Sequence, residues 1–111
     1  PDKILKQFRI VIVEFHDIQR VFNKAGVALA TQVFERMLMF FEVVHVHPNN
    51  GGGYIKFRGK QIPRVIEVTF IRKDRVTNRE LNTNFPHKLD SPNLPLLPDT
   101  PLSSSLFLAL R

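Results

Sequence analysis

Two short segments of this 111-residue chain hold the side chains best suited to moving protons. Val11 to Ile18 reads VIVEFHDI and places Glu14, His16 and Asp17 at the end of an apolar run. Val43 to Asn50 reads VVHVHPNN and places His45, His47, Asn49 and Asn50 in the same way. An imidazole that exchanges a proton near neutral pH, a carboxylate to orient it and amides to hold a substrate are the parts of a general acid–base site. Glu14 and His16 are two residues apart and share one face of a strand, as do His45 and His47. His45 lies one repeat of the pleat deeper and is expected to be a packed residue. Each of these residues also has an ordinary structural use. Strand-end carboxylates and histidines satisfy loop amides, Asn49-Asn50 before glycines is turn chemistry, and Asp17 could cap a following helix. Histidines and carboxylates together could hold a metal. No His-x3-His spacing and no assured third ligand is visible, so no metal site is expected.

The elements that must position these residues follow from periodicity. Phe8 to Phe15, FRIVIVEF, is β-branched with apolar residues on both faces, which predicts a strand buried in the middle of a parallel sheet. Ile18 to Phe41 carries apolar residues at Val21, Phe22, Ala25, Leu29, Val33, Phe34, Met37, Leu38 and Phe41, the three-and-four spacing of an amphipathic helix. Gly26 starts or bends it, and the stripe of Phe22, Phe34 and Phe41 is expected in the core. Glu42 to His47 is a second strand, with Val44 and Val46 opposite the two histidines. Pro48 to Gly53 ends it, because proline lacks an amide donor and Asn and Gly accept positive φ. Tyr54 to Phe57 and Ile62 to Arg72 predict two further strands around Arg58-Gly59-Lys60. Glu67, between apolar residues, takes the solvent-facing position of an alternating strand. Strand, helix, strand and antiparallel return make an α/β unit whose helix is a right-handed crossover between parallel strands. In such a sheet the carboxyl ends of the two strands are neighbours and form the ligand rim.

Five of the eight prolines lie between Pro86 and Pro101, where neither period survives. Residues 77–111 are therefore expected as a Pro-rich extended tail on a domain formed by residues 1–76. Phe85, Leu89, Leu94, Leu96, Leu97 and Leu106 to Leu110 are the side chains expected to pack it down. One convincing helix is too few for a closed parallel sheet, which needs both faces covered.

Composition narrows the function classes. The chain has no Cys, which excludes disulfides, thiolate zinc sites and a cysteine nucleophile. No apolar stretch approaches the roughly 20 residues of a membrane span, and cytoplasmic location is the default expectation, with no membrane partner. Sixteen Lys and Arg against ten Asp and Glu leave a net charge of +6. Such a charge would attract phosphate polymers. Between Lys56 and Arg75, however, seven basic residues alternate with Glu67 and Asp74 rather than forming a block, and no recognition motif accompanies them. Nucleic acid is not the expected partner. Charged residues of this kind also protect sheet edges.

VIVEFHDI, VVHVHPNN and IPRVIEVTFIRKD (Ile62 to Asp74), in this order and spacing, resemble the C-terminal half of FkbM-type methyltransferases, a branch of the S-adenosylmethionine-dependent, Rossmann-like enzymes. FPHKLDSPNLPLLPD (Phe85 to Asp99) resembles the proline-rich end of some members, so that the similarity spans residues 1–100. The resemblance implies a partial Rossmann-like methyltransferase sheet with Phe8 to Phe15 as fifth strand, Glu42 to His47 as sixth and Val65 to Arg72 as antiparallel seventh. It also implies a missing N-terminal half that would carry the glycine-rich cofactor loop, the ribose-binding acid and a D-x-E-G segment. Gly51 stands where many relatives are expected to have Cys.

The activity implied is O-methylation of a small-molecule or sugar hydroxyl, with Glu14, His16, His47, Asn49 and Asn50 as candidate site residues. His16 or His47 would deprotonate or orient the acceptor and Glu14 would fix the imidazole. No cofactor-binding residue is expected here, and S-adenosylmethionine would bind only with the missing half. Residues 1–111 alone should therefore show no saturable binding of it in calorimetry. The competing expectation is a non-catalytic basic α/β module that self-associates or binds a partner through an open sheet edge.

Overall fold

A computed structural model describes residues 2–80 and 86–102. A short helix α1 (Asp2–Leu5) leads to strand β1 (Ile10–Phe15), a 3-10 turn (Ile18–Phe22), helix α2 (Lys24–Leu38) and strand β2 (Phe41–Pro48). Strands β3 (Tyr54–Phe57), β4 (Lys60–Pro63) and β5 (Ile66–Arg72) follow. The main sheet has the order β1-β5-β2, and β3-β4 is a separate hairpin. Arg58 and Gly59, both at positive φ, form its two-residue turn, the geometry that matches the twist of the flanking strands.

The expected α/β architecture, a partial Rossmann-like sheet with two paired parallel strands, is corrected here: every ladder is antiparallel. β5 lies between β1 and β2 and runs against both, with Val13 and Val46 opposite Val68. The physical reason is burial. Val68 and Phe70 of β5 are 1% and 0% exposed, so β5 takes the centre, where both its edges are hydrogen-bonded. β1 is not the doubly buried strand its composition suggested. Its residues alternate between exposed and half-buried, with Ile10 and Ile12 largely open to solvent, as befits an edge strand covered on one side.

Helix α2 covers one face. Met37, Phe41, Val46, Val68 and Phe70 form the buried core, with Val11, Val13, Phe15 and Phe34 packed around it. Phe34 stacks on Phe15 at 5.0 Å between ring centroids and tilts onto Phe70 at 6.1 Å. Each fully buried side chain of this size contributes about 1.5–3 kcal/mol relative to exposure. In β2 the register shifts between Val43 and His45. The extra residue, Val44, is half exposed rather than packed, and the bulge returns Val46 to the core face while keeping His45 and His47 on the other.

The helix expected over residues 18–41 is shorter because the chain caps at Asn23, whose side chain accepts from the Gly26 amide at 2.8 Å. Phe22 leaves the core and stacks on Phe57 of the hairpin instead. Gly26 is required where it stands: a Cβ there would lie 1.9 Å from the Arg20 carbonyl oxygen. Alanine normally gains about 1 kcal/mol over glycine inside a helix. Here that gain is outweighed by overlap with backbone, and Gly26→Ala is expected to destabilise the fold by about 3 kcal/mol in urea unfolding.

Candidate functional site

The antiparallel register builds the site. Glu14, Glu67 and His47 stand opposite one another in a row across β1, β5 and β2, on the face away from α2. The carboxyl ends of β1 and β2 are thus at one end of the sheet, but β5 separates them, and they are not neighbours as expected for a parallel pair. The loop after β2 closes the distance. Its turn is anchored by the Asn49 amide, which donates to the Val65 carbonyl at 2.9 Å.

From there a continuous chain of hydrogen bonds runs to His16. The Gly51 amide donates to Asn49 Oδ1 (2.9 Å), Asn49 Nδ2 donates to Glu14 Oε2 (3.0 Å), and Glu14 Oε1 pairs with His16 Nε2 (2.8 Å). A carboxylate only accepts, so the proton on this ring lies at Nε2. In the neutral imidazole the basic lone pair is then at Nδ1. The His16 side chain is 66% exposed, which leaves that lone pair open to a partner from solution. The arrangement repeats the logic of a base oriented by an acid that is itself oriented by a third group.

His47 and Asn50 are directed elsewhere. Asn50, 7% exposed, donates through Nδ2 to the carbonyls of Leu94, Leu97 and Pro98 and accepts the Leu94 amide at 2.9 Å. His47 Nε2 donates to Asp99 at 3.2 Å, and His45 Nε2 donates to Asp90 at 2.7 Å. The Pro-rich segment is therefore fastened over β2 by polar bonds up to Asp99, and Leu102 beyond it packs against the core. The leucines expected to pack it, Leu89, Leu94, Leu96 and Leu97, are half to fully exposed. Phe85 and Leu106 to Leu110 lie outside the described residues. Burial pushes the Asp90 carboxyl up, while bonds from the His87 amide and the His45 ring and the charges of His45 and His47 outweigh it, leaving its pKa below the usual aspartate value.

Asp17 does not cap a helix with its side chain. It sits at φ 57°, is bonded by Gln19 and lies 3.8 Å from Arg20. The residues that sequence reasoning passed over are Glu67, Asp90 and Asp99. Strand alternation alone marks Glu67 as outward-facing; its place between Glu14 and His47 depends on the register. Among the described residues no group of three or more His, Cys, Asp or Glu could hold a metal, and no helix is long and apolar enough to cross a membrane.

The glycines of the described residues do not form the glycine-rich loop of a Rossmann-like cofactor site. The only run of glycines follows β2 and leads into a strand, not a helix N-terminus. Its surface is already occupied, because a Cβ on Gly52 would lie 2.6 Å from Val65 and one on Gly51 3.3 Å from Leu94. Compared with protein-family models, curated proteins and solved structures, the chain matches none.

Proposed function

We propose that this chain is the C-terminal portion of an S-adenosylmethionine-dependent O-methyltransferase, and that it supplies the groups that handle the acceptor's hydroxyl. The observation that supports this reading most is the chain of bonds from Gly51 through Asn49 and Glu14 to His16, which leaves one basic nitrogen facing solvent. A hydroxyl placed against Nδ1 would give up its proton to the ring, and Glu14 would stabilise the imidazolium formed; S-adenosylmethionine, held elsewhere, would supply the methyl group and leave as S-adenosylhomocysteine. The methyl donor's site lies outside these residues, and methyl transfer as the reaction rests on the resemblance to FkbM-type enzymes. The acceptor class is a small molecule or sugar. The test is transfer of labelled methyl from S-adenosylmethionine to a panel of hydroxyl acceptors by the product of the whole reading frame that contains these residues. Labelling only amines or thiols would remove hydroxyl chemistry from this site.

A second reading, a non-catalytic module that pairs through its sheet edge, is favoured by β1. It is an edge strand of the β1-β5-β2 sheet, and it exposes Ile10 by 55% and Ile12 by 60%. Open edges with apolar side chains invite another strand. On this reading sedimentation shows a dimer that Ile12→Lys returns to monomer, whereas a monomer at every concentration removes self-association.

A further inference from the structure

We propose that the segment from residue 86 to residue 99 is a strap that masks His47, and that its release adds His47 to the Glu14–His16–Asn49 site as a second imidazole. The functional half of this inference rests on the proton-handling role proposed above. Three observations lead to it.

First, the register places His47 in the same cross-strand row and on the same face as Glu14, with Glu67 between them. Glu67 has no hydrogen bond or ion pair among the described residues, so the middle of the row is a carboxylate with open acceptors. With strands about 5 Å apart, His47 stands about 10 Å from Glu14, a span that one small acceptor molecule bridges. What keeps it out is Asp99, whose two oxygens lie 3.2 and 3.3 Å from Nε2, and the strap backbone, which leaves the His47 side chain 9% exposed.

Second, the strap is held in a way that lets it leave. An apolar strap would bury its leucines, but Leu89 and Leu96 are 81% and 98% exposed and Leu94 and Leu97 about half exposed. Up to residue 99, adhesion is carried instead by Asn50 and by the two pairs His45–Asp90 and His47–Asp99. Such bonds exchange for bonds to water when the strap lifts, so the net cost of release is far below their gross strength. Lifting residues 86–99 leaves the core cluster of Met37, Phe41, Val46, Val68 and Phe70 in place, and Leu102, which packs against that cluster, anchors the chain just beyond the strap.

Third, the strap and the proton-handling chain share one turn. Asn50 faces the strap, the preceding residue Asn49 faces Glu14, and Leu94 packs on Gly51, whose amide holds Asn49. The strap therefore ends at the site and not at a remote surface.

The test is carbethoxylation of the full chain by diethylpyrocarbonate, with each histidine followed by peptide mass spectrometry. His16 is expected to react fast and His47 slowly. Asp99→Ala, which removes the partner carboxylate, is expected to raise the His47 rate about tenfold. Asn50→Ala is expected to do the same and to speed amide exchange at Leu94 and Leu97, while Val68 and Phe70 keep their exchange protection. The proposal is overturned if His47 reacts as fast as His16 in the unaltered chain, or if neither variant changes its rate. It is equally overturned if both variants strip protection from Val68 and Phe70, because the segment would then be part of the core and not a strap. Failure of the methyl-transfer reading is a separate result, since no acceptor or methyl donor enters this experiment.

Discussion

A His16→Ala variant is expected to lose methyl transfer to hydroxyl acceptors by a factor of about 10² to 10⁴, the range contributed by a positioned general base. Its stability should stay within about 0.5 kcal/mol of the parent, as for surface positions generally, because the His16 ring is largely exposed and, among the described residues, bonds only to Glu14. The loss would therefore be chemical and not structural. Glu14→Gln sharpens the test. Asn49 Nδ2 donates to one oxygen of Glu14, so a glutamine would turn its carbonyl toward Asn49 and its NH2 toward His16. The amide N–H would then be donated to Nε2, moving the ring proton to Nδ1 and leaving no lone pair on the solvent side. The variant should show a loss comparable to that of His16→Ala, with the parent's urea midpoint. If both variants transfer methyl groups at the parent's rate, the Glu14–His16–Asn49 site plays no part in the reaction.

The second large effect is on the fold. Phe70→Ala is expected to destabilise the protein by about 3–5 kcal/mol, the usual range for a buried phenylalanine. Phe70 is 0% exposed, stands opposite Val11 and Val43 on the central strand, and touches the ring of Phe34 on α2. Its removal would leave a cavity where sheet and helix meet, and neither element can close it without breaking the strand register. Domains have about 5–15 kcal/mol of stability in all, so the loss would take a large share. The check is urea unfolding, where the midpoint should fall with an unchanged slope. A shift below about 1 kcal/mol would mean that β5 is not the centre of the sheet.

The two experiments bear on different levels of the same arrangement. β5 holds β1 and β2 at one end of the sheet, and the turn after β2 then reaches Glu14. A weakened β5 would let that register slip, so Phe70→Ala should disturb the histidine site as well, whereas His16→Ala should leave the sheet alone.

Some of this was open to reading in one dimension. The sharing of a strand face by Glu14 and His16 follows from the period of two, and their 2.8 Å contact follows from that face and the strand end. The positions of β1, β2 and the β3 strand follow from β-branched runs and from the Pro, Asn and Gly residues that stop them. The nearness of Asn49 to Glu14 was also expected, but for a different reason from the one the structure supplies. It arises because the loop after β2 reaches past β5, not because β1 and β2 pair. Helix α2 is shorter than its apolar period predicts because Asn23 sits inside that unbroken period, and its bond to the Gly26 amide marks the start.

Local chemistry, then, was determined by the sequence itself: which short runs become strands, where they end, and which imidazole lies beside which carboxylate two residues away. Strand order and the fate of His47 and Asn50 were decided by tertiary structure. An apolar period says that a face will be buried, but not by which neighbour, and β5 took the centre because Val68 and Phe70 are buried most completely there. His47 and Asn50 found their partners 52 and 44 residues along the chain, in Asp99 and Leu94. No local period encodes such a meeting, because polar side chains at a strand end satisfy whatever donor or acceptor the folded chain brings to them.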